Sequence, residues 1–457
     1  MLYEFTIENY QSFGKAQTLS LMRGKERNKP ENLFRPVAGF PDVVRSAAIF
    51  GHNASGKSNF WRAFQNFIQI IQYSAIGAIG FAPQGRIPGI EPNLLTASGL
   101  QEPTRFEIVF AMEGHVYRYG FSATPERIVA ESLVEELKSG GVDKIFTRTI
   151  ADAGGKTEIA FPRELGRTGE GAIRELTRKN ALVVSSGANL NVDLLGKIHN
   201  HLTKQLKLIS FGPFGNGFRD FALRLHEDGD FRQRIGQLAS DADFGICGLR
   251  TQMPPEPTAQ DIDRFRQTLR SQFGDTVAEA SVANLNSGRR PAVYALHRGA
   301  SGNSVEFKLS DESQGTQLFL QLAALLLDVA RQGAVAVIDE FSANIHPLLA
   351  NKLVEFFQNP ENNTGSGQLI FTSHQSELLS SELFRKDQIW FAEKTRSGQT
   401  DLFSLASFRG EKSARSSEAF AKNYLAGRYG GVGDFGPLFS GVPLHLKAHG
   451  NSTRLPG

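Results

Sequence analysis

The 457-residue sequence contains a single cysteine, Cys247. A disulfide framework and a Cys-based zinc site are thereby excluded, and Cys247 reads as a small apolar residue suited to a reducing compartment. An excess of either charge is missing too: 50 Lys+Arg stand against 47 Asp+Glu, a formal net charge of +3. So balanced a total argues neither for nor against nucleic acid, because a local basic patch would not show in it. No uncharged apolar stretch reaches the roughly 18 residues of a membrane span. Glu4 stands among the first residues, without the basic-then-apolar pattern of a leader. Internal repeats and low-complexity tracts are also lacking, and the stretch Glu164 to Gln237 carries no heptads sustained over several turns, which argues against a long coiled-coil arm. These absences predict a cytoplasmic globular protein with no membrane association, long enough for two or three domains.

Against that background one stretch stands out. Gly51-His52-Asn53-Ala54-Ser55-Gly56-Lys57-Ser58 fits the pattern Gly-x-x-x-x-Gly-Lys-[Ser/Thr]. A chain of this length matches by accident about a couple of times in a hundred at average residue frequencies. The context sharpens the signal. Ser46-Ala47-Ala48-Ile49-Phe50 reads as a buried strand, and Phe60, Phe64, Phe67, Ile68 and Ile71 recur at helical spacing after the loop. Glycine lets the backbone turn tightly enough for its N–H groups to converge on a phosphate. The following helix adds its positive N-terminal end and Lys57 a point charge for the outer phosphates. The expected nucleotide site comprises Gly51, Asn53, Ser55, Gly56, Lys57, Ser58 and Asn59, with the Ser58 hydroxyl on Mg2+.

Some 280 residues later comes a second element. Ala334-Val335-Ala336-Val337-Ile338 is an unbroken apolar run that ends in Asp339-Glu340, as the centre of a parallel sheet requires. Carboxylates at the C-terminal end of such a strand fall where ligands bind in open α/β sheets. Asp339 is the expected Mg2+ ligand and Glu340 the base that orients and deprotonates water. Gln368-Leu369-Ile370-Phe371-Thr372-Ser373-His374 repeats the design, delivering His374 toward the γ-phosphate and the base. Alone, such a histidine is more often structural. Ser313 and Gly315 open the helical pattern Thr316 to Arg331 and form a second potential anion site; alone, Ser313 reads as an ordinary N-cap.

The rest of the chain organises around these motifs. Residues 2–8 alternate as a strand, with Ala16 to Met22 as its return. Residues 24–42 read as a surface connection, and Ala75 to Thr104 as a mobile loop or lid. Arg105 to Phe110 and Val116 to Ser122 read as paired strands, continued by Ile128 to Leu137. Glu164 to Gln237 is polar and mostly helical in pattern. Residues 251–265 read as a linker into a helix near Asp261 to Phe273, and strands return at Ala292 to His297 and Val305 to Leu309. The expected division is an N-terminal part of the nucleotide-binding head at 1–125, an inserted mainly helical lobe at 126–290, the C-terminal part of the head at 291–410 and a tail at 411–457.

The order P-loop, Ser-x-Gly helix start, Asp-Glu strand and strand-His resembles the ABC-type ATPase heads. Within them it is most similar to the RecF/OLD-like AAA-family ATPases of abortive-infection systems (AbiL-like, antiphage defence). Ile7-Glu8-Asn9-Tyr10-Gln11-Ser12-Phe13 resembles their Glu-Asn-Phe-Arg-Ser-Phe opening, with Gln11 in place of the arginine. Glu312-Ser313-Gln314-Gly315-Thr316 is similar to their variant of the ABC signature. Asp339-Glu340-Phe341 through His346-Pro347 follows their Asp-Glu…His-Pro block, with Ala343-Asn344-Ile345 departing from it. Phe371-Thr372-Ser373-His374 resembles their Thr-His switch, and Asn423-Tyr424-Leu425-Ala426-Gly427-Arg428-Tyr429-Gly430 their tail. The likeness covers about 1–75 and 290–430.

The resemblance implies an α/β P-loop NTPase with an ABC-type head. It implies ATP and Mg2+ sandwiched between two copies, one giving the P-loop and Asp339–Glu340, the other Ser313 and Gly315. A homodimer or larger homo-oligomer would then be the catalytic unit. OLD-like relatives carry a TOPRIM nuclease with an Asp-x-Asp pair after the ATPase. The 83 residues after His374 hold no such pair. Asp228-Gly229-Asp230, Asp241-Ala242-Asp243 and Asp261-Ile262-Asp263 read as turns or helix starts. The leading expectation is an ATPase that senses for, or regulates, a separate nuclease-like effector in antiphage defence. The alternative is a RecF-like repair or chromosome-maintenance ATPase on duplex DNA, and a non-hydrolysing binding module is disfavoured by Glu340.

Overall fold

The structure is a computed structural model and describes residues 1–76, 85–150, 157–210, 217–242, 244–283, 290–408 and 419–431. It opens with β1 (Leu2–Glu8), β2 (Gln17–Ser20), β3 (Leu33–Phe34), β4 (Val43–Val44), β5 (Ser46–Phe50) and α1 (Lys57–Tyr73). Antiparallel strands follow: β6 (Thr104–Met112), β7 (His115–Thr124), β8 (Arg127–Glu136), β9 (Val142–Ile150) and β10 (Thr157–Ala160). The middle carries α2 (Arg167–Leu176), α3 (Val183–Asn189), α4 (Asp193–Lys204), β11 (Leu206–Ser210), α5 (Gly217–Glu227) and α6 (Gly229–Asp241). Next come β12 (Ile246–Gln252), α7 (Ala259–Phe273), α8 (Asp275–Ala283), β13 (Ala292–Arg298), β14 (Ser304–Lys308) and α9 (Gln314–Gln332). The chain ends in β15 (Val335–Asp339), α10 (Pro347–Gln358), β16 (Gln368–Ser373), β17 (Ile389–Lys394), β18 (Thr400–Ser404) and α11 (Phe420–Leu425).

Two large sheets sandwich α1. The first is antiparallel, in the order β10-β9-β8-β7-β6-β1-β2. The second runs β11-β15-β16-β5-β17-β18, parallel except for β18. The phenylalanines of α1 face the first sheet: Phe64 stacks on Phe5 of β1 with ring centroids 3.7 Å apart, and Phe67 stacks on Phe121 of β7. On its other side Trp61 donates its Nε1–H to the Val337 carbonyl of β15 at 3.1 Å. Each fully buried ring contributes roughly 1.5–3 kcal/mol, so the helix that follows the P-loop is fixed on both flanks. The opposite face of the parallel sheet is covered by α9 and α10, whose Leu320, Leu326, Leu353 and Phe357 share a core with Ile338 and Phe371. Buried on both faces, β5 and β16 show no exposed position along their length.

The strands and helices expected around the motifs are present, with three differences. Segment 126–290, expected to be mainly helical, carries α2–α8 together with five strands that join the sheets. Strands β8–β10 extend the antiparallel sheet, β11 is an edge strand of the parallel sheet, and β12 pairs with β13. The first half of this segment is anchored by Glu131, whose buried carboxylate accepts from Tyr119 Oη and from the Val183 and Val184 amides, 3.9 Å from Arg148. Residues 24–42 are no simple surface connection either. Asn32 is buried and donates to Gln388 Oε1 at 2.8 Å, and Gly24 N–H donates to Asp387.

The third difference concerns 75–104. Residues 77–84 lie outside the described set, but 85–103 are tied down. Asn9 Nδ2 donates to the Gly99 and Glu102 carbonyls, and Asn93 Nδ2 to that of Gln11. Asp228 caps α6 by accepting from Phe231 N–H, and Asp261 completes a capping box at α7, so these two Asp-x-Asp pairs are helix starts. The third pair ends on Asp243, outside the described residues, as does the tail beyond Gly431. Among the described residues no helix is long and apolar enough to cross a membrane.

Candidate nucleotide-binding site

The strand order builds the site. Strand β16 lies between β5, which delivers the P-loop, and β15, which delivers the two carboxylates. Ser373 is in register with Phe50, and Phe371 with Ile338. One residue further on, this register sets His374 beside Gly51 and Thr372 beside Asp339. Three polar strand tips therefore converge at the C-terminal edge of one parallel sheet, where such sheets bind ligands.

The P-loop turns on two left-handed residues, Ala54 (φ 62°) and Gly56 (φ 108°). At Gly56 glycine is required twice over, by the backbone angle and because an added Cβ would stand 2.1 Å from Thr400 Oγ1. Lys57 opens α1 and is buried. Its ammonium donates to the carbonyls of Gly51 (2.6 Å) and His52 (2.8 Å) and reaches Ser55 Oγ at 3.4 Å. Burial pulls its pKa down to about 8, opposed by the charges of Asp339 and Glu340. Ser58 and Asn59 occupy the next two positions of α1, and Asn53 is exposed on the rim of the loop.

On the neighbouring strands Thr372 organises both carboxylate residues. Its hydroxyl donates to Asp339 Oδ1 at 2.6 Å and accepts the Glu340 N–H at 2.8 Å. Glu340 takes a left-handed backbone (φ 54°), an arrangement that costs a non-glycine residue about 1–2 kcal/mol. Such strain at the tip of a buried strand is characteristic of functional positions. The Glu340 carboxylate lies 3.9 Å from His374 Nε2, and both side chains are partly exposed. Burial, and then the Lys57 charge, hold the His374 imidazole below its usual pKa, against the pull of Glu340 and Asp339. This environment favours the neutral imidazole, which can accept a hydrogen bond from water at one ring nitrogen and donate one to a phosphate oxygen from the other.

ATP and Mg2+ fit what these residues offer. The left-handed turn at Gly56 (φ 108°) and the buried Lys57 ammonium at the start of α1 supply the tight loop and the cation that a polyphosphate needs. The hydroxyl of Ser58 and the carboxylate of Asp339 are hard oxygen donors. Among the described residues no group of three or more His, Cys, Asp or Glu could hold a metal alone. The pair Ser58 and Asp339 suits Mg2+, which keeps several waters and binds through one or two protein groups plus phosphates.

Ser313 and Gly315 are not brought to this cluster. Among the described residues no hydrogen bond or ion pair joins them to the P-loop or to Asp339 and Glu340. Ser313 caps α9, its Oγ accepting the Thr316 N–H at 3.1 Å. Gly315 packs against the turn after β15, where an added Cβ would stand 2.7 Å from the Asn344 carbonyl. Asn344 itself is left-handed (φ 62°), a conformation asparagine tolerates, which gives a physical reason for the residue in that turn. Gly315→Ala is therefore expected to destabilise the fold by about 1–3 kcal/mol. Gly171→Ala, in open space on α2, is expected to be neutral or slightly stabilising. Thermal unfolding of the two variants side by side checks this, and equal melting temperatures would remove the close-approach argument.

Sequence reasoning assigned no role of their own to Thr372, Ser12 or Thr400. Thr372 was accessible in principle, as the position beside Asp339 once adjacent strands are assumed. Thr400 carries no local signal: it reaches Ser55 and Ser12 across 345 and 388 residues of chain.

The family model described as "AAA domain, putative AbiEii toxin, Type IV TA system" matches residues 46–380. No curated protein matches the chain. Among solved structures it is similar to one described as "Crystal structure of the SmcHead bound to the C-winged helix domain of ScpA". Identity there is 12% and the TM-score 0.39, with 88% of this chain and 97% of that chain covered.

Proposed function

This chain belongs to the AAA-domain family whose model spans residues 46–380, and from that premise we propose that it is an ATPase working as a dimer around ATP and Mg2+. The reading is carried by one observation: Lys57, Asp339, Glu340 and His374 share one sheet edge, while Ser313 and Gly315, at the start of α9, make no hydrogen bond to them among the described residues. In this reading the amides of the P-loop and Lys57 hold the phosphates, and Ser58 and Asp339 hold the metal. Glu340 takes a proton from the attacking water, and His374 steadies both water and γ-phosphate. The start of α9 from a second copy completes the site, so ATP binding closes the dimer and hydrolysis or product release reopens it.

The output we propose is control of a separate, nuclease-like effector in antiphage defence, the dimer acting as the sensor. The family description supports a role in a toxin–antitoxin setting. A tagged Glu340→Gln chain, recovered from its native host with ATP present, is expected to bring down a stoichiometric effector protein. Recovery of duplex DNA with repair proteins and no effector would replace this reading with a RecF-like one.

A further inference from the structure

Two buried hydroxyls and one half-buried amide form a chain around the base of the P-loop. Asn59 Nδ2 lies 2.8 Å from Ser12 Oγ, Ser12 Oγ lies 2.8 Å from Thr400 Oγ1, and Thr400 Oγ1 lies 2.8 Å from the Ser55 carbonyl. Only one arrangement of protons satisfies every contact. The Ser55 carbonyl can only accept, so the single Thr400 O–H points to it. Thr400 Oγ1 then accepts from Ser12, and Ser12 Oγ accepts from the Asn59 amide. Ser12, Thr400 and Ser55 are all buried, so water does not compete for these partners. A backbone contact, Thr400 N–H to the Ser12 carbonyl at 2.8 Å, fixes the two hydroxyl residues to each other.

The chain runs from the Ser55 carbonyl within the phosphate-binding motif to Asn59, the residue that follows it. Ser55 and Asn59 bracket Gly56-Lys57-Ser58, and Thr400 leans on Gly56 from outside. The peptide between Ser55 and Gly56 is planar and trans, so its C=O and N–H point in opposite directions. Holding the Ser55 carbonyl outward on Thr400 therefore turns the Gly56 N–H inward, into the concave face of the loop. We propose that the Thr400 hydroxyl, supported by Ser12 and Asn59, is a positioning group for ATP: it orients the Gly56 amide toward the phosphates. The inference rests on the reading of the P-loop as an ATP site.

Thr400→Val keeps the shape and removes the hydroxyl, whereas Thr400→Ser keeps the hydroxyl and trims a methyl. Titration with a fluorescent ATP analogue, together with steady-state hydrolysis, separates the possibilities. Thr400→Val is expected to raise Kd and KM for ATP about tenfold while kcat changes less than threefold, and Thr400→Ser to stay within about twofold of the unaltered chain. A contact that merely held the fold would lower Tm without that split and without rescue by serine. Ser12→Ala, which leaves Thr400 in place, is expected to raise Kd about threefold and covers the case in which Thr400→Val does not fold. Normal ATP binding by Thr400→Val, or binding by Thr400→Ser as weak as that of the valine variant, would overturn the positioning role while leaving the ATP site intact. Failure of the unaltered chain to bind ATP would overturn the site and the positioning role together.

Discussion

Glu340→Gln is expected to bind ATP as the unaltered chain does and to hydrolyse it roughly 10²–10⁴ times more slowly, the usual contribution of a positioned general base. Glutamine has the shape of glutamate and can occupy the same left-handed backbone position (φ 54°). The bond from the Glu340 N–H to Thr372 Oγ1 involves the main chain and survives the change. Asp339, the metal ligand in this reading, keeps its own bond from Thr372. What is lost is a partly exposed carboxylate 3.9 Å from His374, the group that takes the proton from water in this reading. Size-exclusion chromatography with ATP should show the variant accumulating as a dimer, because the step that reopens it is blocked. Hydrolysis within twofold of normal would show that Glu340 is not the base.

The elements that carry this expectation were legible because each is a buried strand with a polar tip. Val335 to Asp339 and Gln368 to Ser373 are apolar runs that only a doubly covered sheet explains, and Ser46 to Phe50 leads into a glycine-rich turn. Their order in the sheet was not legible from any one of them. It is the insertion of β16 between β5 and β15 that sets His374 between Lys57 and Glu340. Strand β11 was hidden for a different reason. Leu206, Leu208 and Ile209 follow Leu194, Leu195, Ile198 and Leu202 at spacings that continue a helix, and only pairing with β15 makes Leu206 to Ser210 a strand. The segment 85–103, poor in charge and rich in glycine and proline, reads as a lid. It is held by asparagine side chains from 9 and 93, partners that local composition does not reveal. The Thr400 chain of hydroxyls is wholly a product of tertiary contact.

Lys57→Ala should lose detectable ATP binding, with Kd raised on the order of 10²-fold or more, since truncating one partner of a buried, hydrogen-bonded charge pair costs about 2–5 kcal/mol. Loss of the fold is not the expected cause. Burial lowers the ammonium pKa from its ordinary value to about 8, so the folded chain carries a penalty of roughly 3 kcal/mol for keeping Lys57 charged at neutral pH. Its removal relieves that penalty while leaving the Gly51 and His52 carbonyls without their partner, opposing effects of similar size. The melting temperature should therefore move little. The same lowered pKa gives binding a pH signature. Phosphate oxygens favour the charged form and must raise the lysine pKa above 8 when ATP is bound. Above about pH 8 the free site is losing its proton while the complex retains it, so ATP binding takes up a proton and affinity falls as pH rises. Calorimetry at pH 8.5 in two buffers of different ionisation enthalpy measures that uptake directly. The uptake should vanish near pH 6.5, where Lys57 is charged with or without ATP. An affinity independent of pH from 6.5 to 9 would mean that the Lys57 ammonium does not meet the phosphates.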